Sequence, residues 1–156
     1  GGFLDAITAM RSVAVLTQFT HFSEAQSQLA LNGAFSMMIY GAIYFLVPRI
    51  TERAWPSAAL IRAHLGLAAL GTALLVVALG AAGLIQGHDL QDAAISFTAI
   101  AAHTRTWMLV ATAAQAVLLL GNVILAGHLF WLSASSFIAP VPALFRQPPT
   151  MEATVT

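Results

Sequence analysis

Thr20-His21-Phe22-Ser23-Glu24-Ala25-Gln26-Ser27-Gln28-Leu29-Ala30-Leu31-Asn32-Gly33-Ala34-Phe35 opens an apolar run that continues to Val47 and meets Pro48-Arg49. At 1.5 Å per residue a helix over 20–47 is about 42 Å long, more than the ~30 Å hydrocarbon core of a bilayer requires. Two further uninterrupted apolar runs follow, over 57–85 and 105–132. Backbone groups inside hydrocarbon must be satisfied within the segment, so each run is expected to be helical. The expectation is an all-α integral membrane protein with three transmembrane helices. The pieces between them are an outer-side N-terminal segment 1–19, a cytoplasmic connector 48–56, an outer connector 86–104 and a Pro-rich cytoplasmic tail 133–156.

Composition points to the same solvent. Of 156 residues, 59% are hydrophobic and 8% charged, against about 25% charged in a typical soluble domain. Lysine is absent, and six arginines balance six acids, so no basic field exists to attract nucleic acid. The chain has no cysteine, which excludes disulfides, thiolate zinc sites and iron–sulfur clusters. Gly1 and the lack of a basic-then-apolar leader suggest a processed terminus or a stretch beginning partway through a longer polypeptide.

Arginine placement sets the expected orientation. Arg49, Arg53 and Arg62 cluster around the first connector, whereas Gln86–Thr104 carries Asp89 and Asp92 and no arginine. Short Lys/Arg-rich loops stay cytoplasmic, which puts the N-terminus outside and the C-terminus, with Arg146, inside. Arg11 counts the other way. Trp55, Trp107 and Trp131 fall at the ends of the expected spans, as interfacial aromatic belts do. Pro140, Pro142, Pro148 and Pro149 forbid a long helix at the C-terminal end. Small residues in the second span (Ala69 with Ala73, and Gly80, Ala81 and Gly83) favour close packing within the chain.

Glu24, Gln28 and Asn32 are four residues apart and line one face of the first helix. Gln26 lies about 200° around the axis from Gln28, so amides point to nearly opposite sides. Polar groups inside a membrane helix are costly and raise a functional hypothesis, here a proton or quinone path along Glu24, Gln28 and Asn32. The plainer reading is that Glu24 sits among headgroups while the glutamines bridge helices. His64, early in the second span, and His128, late in the third, would approach each other in antiparallel helices, so a bis-histidine haem between them is a candidate. His21 and His103 would meet at the opposite side. No dinucleotide or phosphate loop, zinc-binding His-Glu-x-x-His or nucleophile elbow occurs, and no catalytic residue or metal site is expected.

A family resemblance sharpens this. Met10-Arg11-Ser12-Val13, Thr17-Gln18-Phe19-Thr20, Gln26-Ser27-Gln28-Leu29-Ala30-Leu31 and Tyr44-Phe45-Leu46-Val47-Pro48-Arg49 resemble the catalytic subunit of cbb-type haem-copper oxidases. They are also similar to the large subunit of bacterial nitric oxide reductase. Trp55-Pro56-Ser57, Leu60-Ile61-Arg62-Ala63-His64 and Ala82-Gly83-Leu84-Ile85-Gln86-Gly87 look like the next helix, and the third span fits less specifically. The resemblance covers residues 1–132, the last three spans of a longer subunit. It implies that the first helix should carry a His-x-His holding a high-spin and a low-spin haem on opposite sides. Here Gln26 and Gln28 stand in those two seats, and an amide is a weak ligand for haem iron beside an imidazole.

The resemblance therefore implies a non-catalytic, oxidase-derived subunit, binding no cofactor itself, that packs with other membrane subunits of a respiratory complex in a bacterial inner membrane. An alternative is the split C-terminal piece of an active cbb-type cytochrome c oxidase or nitric oxide reductase, with haem b and copper in partner chains. Another is a small b-type cytochrome ligated by His64 and His128.

Overall fold

A computed structural model describes residues 10–138. Among these residues every regular element is helical: α1 (Arg11–Thr17), α2 (His21–Thr51), α3 (Ala58–Asp89) and α4 (Phe97–Ile138). The last three are each long and apolar enough to cross a membrane. α3 is the central element, packing most extensively on α4 and next on the first part of α2. The core joins Ala25 of α2, Leu75, Ala78 and Leu79 of α3, and Ala111 and Ala114 of α4, with Trp107, Met108 and Leu118 against it.

Between α1 and α2 the chain turns sharply. Phe19 adopts a left-handed conformation (φ 61°), and Thr20 caps α2 by accepting from the Phe22 N–H. Glycine lets this corner sit directly on α3. A Cβ at Gly83 would collide with the Phe22 backbone nitrogen and lie 2.7 Å from its Cα. One turn on, a Cβ at Gly87 would collide with the Leu16 carbonyl oxygen. The close-packing residues thus include Gly83 and Gly87, with Gly71 against Leu118, whereas Ala69 and Ala73 face outward.

α2 is not uniform. Its middle, Leu29–Phe35, winds as a π-helix, a wider turn that changes which side of the helix meets α3. The half before it buries Ala25, and the half after it, Ser36–Thr51, has no buried residue. Met38, Phe45 and Ile50 are exposed there.

Pro48 was expected to stop this helix, yet the helix runs on to Thr51 with Pro48 inside it. Proline has no N–H, so the carbonyl of Tyr44, four residues earlier, loses its helical partner. The indole N–H of Trp55 takes that place, donating to the Tyr44 oxygen at 3.0 Å. The helix then closes with Glu52 left-handed (φ 53°) and the Arg53 N–H returning to the Pro48 carbonyl at 3.2 Å.

α4 also differs from its expected span. It begins at Phe97 rather than 105, because the Ser96 hydroxyl accepts from the Ala99 N–H and provides a start. Trp107 therefore lies well inside the helix against the core, and Trp55 is folded inward, while Trp131 is exposed. α4 also continues through 133–138, into the expected tail. The prolines of 140–149 lie outside the described residues.

Candidate functional site

Two polar constellations stand out. The first is the stripe on α2. Gln28 Nε2 donates to Glu24 Oε1 at 2.6 Å, and Asn32 Nδ2 donates to Gln28 Oε1 at 2.6 Å. Residues four apart are neighbours on a helix surface, so the three side chains form a continuous ladder. Both ends of the Gln28 amide are engaged in it. Glu24 is exposed and Gln28 and Asn32 are half-buried, so the ladder runs along the outside of the three-helix body. Gln26, around the axis from it, is also half-buried.

The second constellation lies where the end of α2, the start of α3 and the end of α4 meet. His64 and His128 are buried, at 0% and 1% exposure. Tyr44 Oη and His64 Nδ1 share a hydrogen bond of 2.8 Å. The His64 ring stands edge-on to Tyr40, with centroids 4.5 Å apart, and tilted to Tyr44 at 5.7 Å. Tyr44 meets Trp55 at 5.1 Å, and Trp55 meets His128 at 4.8 Å. Tyr40 ties the cluster to α4 by a 2.9 Å hydrogen bond with Asn122. His64 and His128, singled out in the sequence, are therefore linked through Tyr44 and Trp55. The two tyrosines were missed, although their four-residue spacing and the carbonyl freed by Pro48 signalled a shared inward face.

At the other end of the bundle, His103 Nδ1 donates to Asp89 Oδ2 at 2.8 Å, and His88 lies 3.8 Å from the same carboxylate. His103 is thus held by Asp89, while the backbone N–H of His21 donates to Gln86 Oε1 at 3.1 Å. Among the described residues no group of three or more His, Cys, Asp or Glu side chains is arranged to hold a metal ion.

Haem can be tested against both constellations. On α2, the Gln28 amide is already hydrogen-bonded at both ends within its own helix. Near His64 the α3–α4 interface is narrow. A Cβ at Gly121 would lie 3.6 Å from the His64 carbonyl oxygen, so α3 and α4 are in direct contact there. The rings of Tyr40 and Tyr44 lie against His64, and that of Trp55 against His128.

These features define a class: a polytopic helical membrane protein whose polar groups concentrate on one outer stripe and one buried cluster. A family model described as cytochrome c and quinol oxidase polypeptide I matches residues 1–117. The chain belongs to that family, the subunit I proteins of haem-copper oxidases. No curated protein matches it. The matched region includes Gln26, Gln28 and His64, and His128 lies beyond it.

Proposed function

We propose that this chain is a non-catalytic subunit derived from the cbb-type oxidase or nitric oxide reductase branch of the family, packing among other membrane subunits of a respiratory electron-transfer complex. The observation that carries this reading is the Gln28 amide, engaged on one side by Glu24 and on the other by Asn32 at 2.6 Å. In the related enzymes the resemblance puts a haem-ligating imidazole at this seat. Here an intrahelical hydrogen-bond ladder takes it. The ladder's outward position also supports partner subunits, because a row of amides facing lipid is costly unless another helix covers it. Haem b and copper, in this reading, reside in those partners. Arg49, Arg53 and Arg62 support a cytoplasmic first connector in a bacterial inner membrane.

Purification of the full chain alone and with its co-purifying subunits tests this. The chain alone is expected to show no Soret band. A Soret band lost on Gln26→Ala or Gln28→Ala overturns the proposal. Within the complex, Glu24→Gln addresses the ladder as a proton or quinone path. A changed turnover rate or pH profile supports a path, and an unchanged one assigns the ladder to packing.

A second reading rests on the extent of the family match. A chain matched over residues 1–117 is also compatible with the C-terminal piece of an active oxidase completed by other chains. Retained oxidase turnover in the purified complex, lost when this chain is removed, favours that reading.

A further inference from the structure

The buried end of the bundle holds more polar chemistry than it satisfies. Within the described chain His64 Nε2 and both ring nitrogens of His128 are buried without a hydrogen-bond partner. A neutral imidazole carries one N–H and one lone pair, so His128 buries a donor and an acceptor together. Each such group left unmet costs about 1–3 kcal/mol, and buried polar atoms in native proteins are nearly always paired with protein or ordered water.

Helix geometry directs the two rings toward a shared region. α3 and α4 run antiparallel, with the His64 carbonyl beside Gly121. His128 lies two turns beyond Gly121, about 10 Å along the axis. Side chains on a helix lean toward its N-terminus. His64 therefore leans toward the connector end, and His128 leans back toward Gly121. In antiparallel neighbours these opposite leanings bring the rings toward each other. Tyr44 fixes the His64 ring by its Nδ1, which leaves Nε2 as the atom presented to the shared space.

We infer that His64 Nε2 and His128 form a binding site for a small cluster of water, one molecule of which bridges the two imidazoles. The occupant must be small, since tyrosine and tryptophan rings pack the surroundings, and it must both donate and accept. It must also be neutral. A divalent cation would bring charge into an apolar segment where the described residues offer no carboxylate cluster to balance it. Water meets all three conditions and typically makes about three hydrogen bonds in such sites. The site lies close beneath the connector after α2, the surface from which water would enter. Once filled, it extends the Tyr44–His64 hydrogen bond into a chain Tyr44–His64–water–His128 that can pass a proton across the helix interface.

The test uses the full chain in phosphatidylcholine vesicles, labelled with ¹⁵N-histidine, with magnetisation transferred from water to the imidazole nitrogens by solid-state NMR. His64→Phe and His128→Phe assign the two rings. The expected result is water transfer to both rings in the wild-type chain, and its loss at His64 Nε2 in His128→Phe. Tyr44→Phe should keep the transfer and shift only the His64 Nδ1 resonance. Dry rings in the wild-type chain overturn the inference, and this reading needs no variant to fold. Transfer at His64 that survives His128→Phe overturns the bridge. Ring signals that move on adding a chelator assign the site to a metal instead, and a Soret band assigns it to haem. Failure of any of these leaves the reading of Gln28 untouched, because that rests on α2 alone.

Discussion

The two ends of this bundle handle polar groups differently. Near α1 the backbone packs tightly on Gly83 and Gly87, and the polar groups are paired locally: Thr20 with Thr17, His21 with Gln86, His103 with Asp89. At the Trp55 end the glycine contact is looser, a Cβ at Gly121 meeting Leu67 at 3.4 Å and the His64 carbonyl oxygen at 3.6 Å. Aromatic rings line this end, and three imidazole nitrogens lie buried without a protein partner. Close backbone contact leaves no room for a guest beside Gly83 and Gly87. Ring-lined packing leaves imidazole nitrogens that no described side chain satisfies.

Gly87→Ala would break the first half of this contrast most strongly. The added methyl meets the Leu16 carbonyl, and overpacking a fixed backbone contact should cost about 3 kcal/mol, read as a lowered unfolding midpoint in detergent. Gly127→Ala, where a Cβ meets nothing within 4 Å, is the control and should hold that midpoint or raise it slightly, since alanine favours a helix over glycine.

The next largest effect concerns the ring-lined end. Trp55→Phe leaves the Tyr44 carbonyl without its donor and should cost about 2 kcal/mol. Adding Pro48→Ala restores a backbone N–H for that carbonyl, so the double variant should recover part of the loss. Strictly additive costs in this double-mutant cycle would mean that the indole N–H is not replacing the missing helical bond.

The smallest effect is expected at the outer stripe. Gln28→Leu should change the stability of the isolated chain by under about 0.5 kcal/mol, as surface substitutions do. In the complex it should weaken retention of the neighbouring subunits, measured by co-purification. Equal retention would remove the ladder from the subunit interface.

The three spans were legible in the sequence because uninterrupted apolar length is a one-dimensional signal. Their ends were not. Pro48 reads locally as a stop, and only a distant indole explains why the helix passes it. Trp107 reads as an interfacial anchor until Ser96 is seen to start α4 early. Gly83, read as a packing residue, is at a close contact, but spacing cannot say which face of α3 meets a neighbour: Ala69 and Ala73 face outward, and the other contacts fall at Gly71 and Gly87. In the candidate site the Glu24–Gln28–Asn32 stripe was readable from periodicity alone. The joining of His64 to His128 through Tyr44 and Trp55 was not, since it needs three helices and a connector in place.

The bond between Trp55 and Tyr44 also has a bearing on biogenesis. The final turn of α2 depends on a side chain that leaves the ribosome after the turn itself, and that turn cannot mature until the connector has doubled back. A nascent chain halted within Pro48–Arg53 would carry a frayed, hydratable helix end, and its lateral release into lipid would be delayed until the indole arrived.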